Sequence, residues 1–170
     1  MTTTNPEPQA MYQLAASLAP EVDLRSLATV SVSAALVQPG AALAALTAAG
    51  GGKLQLRSEH RHAFDEAAST LTAEIAFVLG VGPPDPKAPE VVHIEAKFAL
   101  VYGVKTAPPP AERAKVFEAF VAVNGVYNAW PYLREVVSSM AARLGAPPVL
   151  LPVFRPEMVG KAEPVGEATK

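Results

Sequence analysis

"NAWPYLREVVSSMAARLGAPPVLLPVF", residues 128–154, is the stretch on which the fold turns. Trp130, Leu133, Val136, Val137, Met140, Ala141 and Leu144 recur at helical spacing and form one apolar stripe. Arg134, Glu135, Ser138, Ser139 and Arg143 lie off that stripe. Pro131 sits among them, where an interior helix position would lose a hydrogen bond. With Asn128 as N-cap, Pro131 falls in the first turn, where the missing N–H has no partner to lose. The spacing therefore predicts that a helix starts at 128 and ends at Gly145, ahead of Pro147 and Pro148, with Arg143 favourably placed in the last turn. Leu150, Leu151, Val153 and Phe154 then form an apolar segment that Pro152 keeps from being helical.

Working back toward the N-terminus, Val116, Phe117, Phe120 and Val121 predict a preceding helix, with Asn124-Gly125 as its C-cap. Before the "PPP" at 108–110 the period is two. Val92, Ile94, Ala96, Phe98, Leu100, Tyr102 and Val104 share one face, and His93, Glu95 and Lys97 take the other. Leu71, Ala73, Ile75, Phe77, Leu79 and Val81 form a second such face. Lys53, Gln55, Arg57, Glu59 and Arg61 line the polar side of a third run. Leu24, Ala28, Val30, Val32, Ala34 and Leu36 suggest a fourth. The turn-rich residues 82–89 join two of these runs. Residues 38–52 read as a mobile Gly/Ala connection with room for one short helical turn. Met11, Leu14, Ala15 and Leu18 give a short helix ended by Pro20. One-sided alternation marks a sheet covered on one face. The expectation is an α+β fold, a four-stranded antiparallel sheet with a long C-terminal helix packed on one face. Residues 11–157 would form a single domain between a flexible N-terminus (1–10) and a flexible tail (158–170).

Composition narrows the function. A net charge of −2 gives no basic face for nucleic acid. The absence of cysteine excludes disulfides and thiolate metal sites. No basic, signal-like N-terminus and no membrane-length apolar run are present, so a soluble cytoplasmic protein without membrane insertion is expected. His60 and His62 share a strand face and could ligate a metal only if His93, Asp65 or Glu66 converged on them; a solvated strand face is the preferred reading. The glycines of "VLGVGPP" and "AAGGGK" lack phosphate-loop spacing, and Ser138-Ser139 sits mid-helix without a nucleophile-elbow sequence. No enzyme, no metal and no cofactor are expected.

The segment 130–154 resembles the SecB family of protein-export chaperones. The resemblance rests on Trp130-Pro131-Tyr132, Arg134-Glu135, Ser138-Ser139, Arg143 and Leu150-Leu151-Pro152, together with the strand "VVHIEAKFALVYGV" upstream. Its specific part covers residues 90–154, and strand order extends it over 24–154. It implies a homo-oligomer, a dimer or a homotetramer, with long helices between sheets and Arg134, Glu135 and Ser138 against another subunit. It also implies an ATP-independent holdase that binds unfolded polypeptide clients in apolar grooves and, in export, passes them to SecA. The chain departs from the export pattern in its near-neutral charge, its Pro-broken C-terminal segment and its added helix at 11–18. Those departures point to the alternative, a dedicated chaperone or adaptor for a single partner such as an antitoxin. On this reading Leu150, Leu151, Val153 and Phe154, with the Gly/Ala connection, border a client groove near Phe98 and Tyr102.

Overall fold

Four long strands alternate with short connections and feed one long helical arm, as seen in a computed structural model that describes residues 8–154 apart from 51, 84, 86 and 87. The tail expected at 158–170 lies outside the described residues. Of the expected flexible N-terminus, residues 8–10 are helical and the rest lies outside the described residues. The elements are α1 (Pro8–Leu18), β1 (Val22–Leu36), α2 (Ala41–Ala48), β2 (Lys53–Asp65), β3 (Thr70–Gly82), β4 (Val92–Val104), α3 (Pro110–Phe120) and α4 (Val126–Arg143).

All strand pairs are antiparallel and the sheet order is β1-β4-β3-β2. Strands β2, β3 and β4 form a meander, and β1 closes on β4 in a Greek-key arrangement. The β2–β3 turn is tight because Asp65 Oδ1 accepts a hydrogen bond from the Ala68 amide at 3.0 Å and Ser69 takes a positive φ of 48°. Alternation in β3 and β4 matches expectation. Leu71, Ile75, Leu79, Ile94, Phe98 and Leu100 are fully buried beneath the helices, whereas Glu95 is exposed on the other face.

Strand β1 departs from its expected face. Two β-bulges, between Leu24 and Ser26 and between Thr29 and Ser31, each add one residue. Each extra residue reverses the inward phase. Leu27 therefore faces the core with Val32, Ala34 and Leu36, and Val30, the extra residue of the second bulge, is 53% exposed; Leu24, opposite Tyr102 ahead of the first bulge, is 44% exposed. The Gly/Ala connection also holds more order than expected: α2 spans eight residues and buries Leu46.

The helical arm overturns the expected helix start. No break occurs at Asn124-Gly125: α3 passes through a π-helical turn, Val121–Gly125, directly into α4. Gly125 is helical, with φ −62° and ψ −49°. Its role is close approach: a side chain there would put Cβ 3.1 Å from Ile75 Cδ1 on β3. Pro131 consequently lies inside α4, not in the first turn of a new helix, and the Tyr127 carbonyl loses its regular i+4 donor. Asn128 is not a cap; its Nδ2 donates to the Tyr102 hydroxyl at 3.1 Å. The stripe of α4 is as expected, with Trp130, Leu133, Val136, Val137 and Ala141 buried. Helix α1 packs on α3 and contributes Leu18 to the core.

Candidate functional site

The C-terminal segment 149–154 is held against α4 by one anchored aromatic. The Trp130 indole Nε1–H donates to the Pro152 carbonyl at 2.9 Å. The same ring stands edge-on to Phe77 of β3, with centroids 6.2 Å apart, and tilts against Phe154 at 5.4 Å. Phe154 also meets Tyr127 edge-on at 5.8 Å. Trp130 thus links sheet, helix and tail segment. Pro152 keeps the segment non-helical, and its residues alternate in burial: Leu151 and Phe154 are buried, whereas Leu150 and Val153 are 81% and 71% exposed. Tyr127 and Tyr132 are also exposed on α4.

The expected groove residues therefore fall into two groups. Phe98 and Tyr102 lie sealed beneath the helical layer, at 0% and 1% exposure. Burial pushes the Tyr102 hydroxyl pKa up to about 12, partly offset by the hydrogen bond from Asn128. Leu151 and Phe154 close the core margin, and Leu150 and Val153 stand in solvent. Sequence reasoning missed Tyr127, which belongs with the exposed pair. Its signal is a position one turn before Pro131, off the apolar stripe. Arg134, Glu135 and Ser138 lie exposed on the outer side of α4, and so does Arg143.

His60 and His62 were expected on a solvated face, yet they point to the helical side. His60 Nε2 lies 2.8 Å from Glu118 Oε1 and His62 Nδ1 lies 3.3 Å from Glu118 Oε2. Glu118, on α3, was not anticipated. The missed signal was that Leu54, Leu56 and Phe64 share the histidines' face. The third ligands considered from sequence do not converge. Glu66 pairs with Arg113 at 3.2 Å, Asp65 holds the β2–β3 turn, and His93 lies on the opposite face of the sheet. Among the described residues, no group of three or more His, Asp or Glu side chains is placed to hold a metal ion.

The outer face of the sheet is polar and internally paired. Glu74 receives a hydrogen bond from Arg61 at 2.9 Å and faces Lys97 at 3.4 Å. The Arg61 guanidinium, with Lys97 helping, holds the Glu74 carboxyl below its ordinary range. A small polar cleft at the other end of the β2–β3 pair is lined by Lys53, Gln55, Gly80, Gly82, Pro83, Asp85, Ala88 and Glu90.

Comparison with known structures gives the fold. The chain matches a Mycobacterium tuberculosis SecB-like chaperone, solved in complex with a ChAD peptide from the HigA1 antitoxin, at a TM-score of 0.69 and 21% identity over 86% of this chain and 99% of that one. A protein of unknown function from Streptococcus agalactiae aligns at a TM-score of 0.43 and 12% identity, over 78% of this chain and 97% of that one. No protein-family model and no curated protein matches the sequence. The fold is SecB-like: an α+β, four-stranded antiparallel sheet with the long helix on one face.

Proposed function

We propose that the chain is a chaperone, a non-enzymatic holdase that captures extended, non-native polypeptides without ATP. The observation that carries this reading is the exposed apolar strip of Tyr127, Leu150 and Val153. It lies on α4 and on the segment that Trp130 pins. Exposed apolar side chains rimmed by polar ones suit a polypeptide of unfixed sequence. Leu150 and Val153 make first contact, and Leu151 and Phe154 hold the strip in place.

Two surfaces favour a homo-oligomer, a dimer or a tetramer. Residues 26–36 of the edge strand β1 carry no charge, which leaves that edge open to pairing. Arg134, Glu135 and Ser138 provide a polar patch on α4 for another subunit. No helix among the described residues is long and apolar enough to cross a membrane. Action in the cytoplasm belongs to this proposal, and so does a role in export through SecA.

The structurally similar M. tuberculosis protein bears an antitoxin peptide, and this favours a second reading: a dedicated chaperone for one partner such as an antitoxin. The test is suppression of aggregation with several unrelated denatured proteins. A general holdase protects most of them, and Leu150→Ser with Val153→Ser weakens protection without changing the melting temperature. Protection of none selects the dedicated reading. Protection that survives both substitutions removes the strip from the site.

A further inference from the structure

The start of β4 carries a cluster that the chaperone reading leaves unused. His93 lies on the outer sheet face between two carboxylates: Nδ1 is 2.6 Å from Glu90 Oε1 and Nε2 is 3.1 Å from Glu95 Oε1. A neutral imidazole has one N–H and one lone pair, so it can donate to only one of the two. Satisfying both contacts takes the imidazolium, with each ring N–H donating to a carboxylate. Glu90 reaches this position because its partner strand has a glycine there. Gly80 pairs with His93, and a methyl on Gly80 would collide with the Glu90 carboxylate.

We infer that Glu90, His93 and Glu95 form a proton-operated clasp that fixes Glu90 across Gly80 as one wall of the polar cleft beside β2 and β3. No residue paired directly with His93 or Glu95 carries a charge that could substitute for the proton. Ala35 and Ser33 of β1 pair with His93 and Glu95 and carry no charge. On β3, Val78 pairs with Glu95, and Arg57 of β2 lies opposite Val78, one strand further away. Lys97 is engaged by Glu74, and Lys53 and Asp85 line the same cleft as Glu90. The carboxylates, Glu95 foremost and then Glu90, raise the His93 pKa above its ordinary value. A raised folded-state pKa means that the clasp contributes in full below the ordinary histidine pKa. The contribution is lost as pH rises through the raised one. Above it, two anions flank a neutral ring with one donor, and Glu90 leaves the cleft wall.

The test is a proton NMR titration of the full chain, with the His93 resonance assigned by its loss in His93→Gln. The expected midpoint lies above the ordinary value of about 6.5, and it falls toward that value in Glu90→Gln. Gly80→Ala, which displaces Glu90 without changing any charge, lowers it in the same way. The Glu90 side-chain carboxyl resonance shifts across the same pH range in the parent and not in His93→Gln. A midpoint at or below the ordinary value, or one that neither Glu90→Gln nor Gly80→Ala moves, overturns the clasp.

Discussion

Gly125→Ala tests the packing of the helical arm on the sheet, because two effects of known size oppose each other there. Gly125 is helical, and alanine is favoured over glycine in a helix by about 1 kcal/mol. The new Cβ would sit 3.1 Å from Ile75 Cδ1 and 3.4 Å from Val121 Cγ1. Ile75 and Val121 are both 0% exposed, so neither has solvent to move into. Overpacking of this kind costs roughly 1–3 kcal/mol. The substitution is therefore expected to destabilise by about 1 kcal/mol net, against the direction of helix propensity. Ile75→Val alone should cost roughly 0.5–1.5 kcal/mol. It also removes Cδ1, and the next Ile75 atom, Cγ1, lies 3.8 Å from the new Cβ, an ordinary contact. In that background Gly125→Ala should become stabilising by up to about 1 kcal/mol. The assay is urea denaturation of the four proteins at one fixed protomer concentration, read as a double-mutant cycle. If Gly125→Ala raises stability in the parent, or if the two changes simply add, the close-approach explanation of this glycine is refuted.

Other substitutions separate the roles around the helical arm. Pro131→Ala should raise stability, by roughly 1–3 kcal/mol, since it restores a donor inside α4; a lower melting temperature would argue for a role in shaping the arm. Asn128→Ala leaves the buried Tyr102 hydroxyl without its donor and should cost roughly 1–3 kcal/mol in chemical denaturation. Trp130→Phe keeps a ring between Phe77 and Phe154 but loses the bond to Pro152, for about 1 kcal/mol and faster proteolysis after residue 149. Phe154→Ser should cost roughly 3–5 kcal/mol, whereas Val153→Ser should leave the melting temperature unchanged. Equal losses at both positions would contradict their different burial.

The sheet was legible because β3 and β4 alternate without interruption, so one face reads directly from residues 71–81 and 92–104. β1 was harder: its bulges leave no mark in a run of Ser, Ala and Val, and only pairing with β4 reveals the phase shift. The stripe of α4 was correct while its start was not. Asn128 and Gly125 are favourable cap residues by local preference, but tertiary demands claim them first: a hydroxyl to satisfy under Asn128 and an isoleucine to admit beside Gly125. Of the expected site residues, Leu150 and Val153 stand where a client could reach them. Phe98 and Tyr102 have the same apolar character but lie on the face of β4 that the helices cover. The apolar residues on the face of His60 and His62 mark that face as inward, but the partner Glu118 is far away in sequence and no local pattern announces it.

The strand order also sets a timetable for synthesis. β2, β3 and β4 follow one another and can zip as successive hairpins, each closing a short loop. β1 is made before all of them, yet its hydrogen-bonding partner is β4, with Leu36 opposite Val92 and Val22 opposite Val104. At roughly 5–20 residues per second, β1 waits several seconds on the ribosome for that partner. Throughout the wait its uncharged edge, residues 26–36, is the segment most open to mispairing with a neighbouring nascent chain. The first strand made is the last that can be paired, and the yield of folded protein depends on what shields it in the meantime.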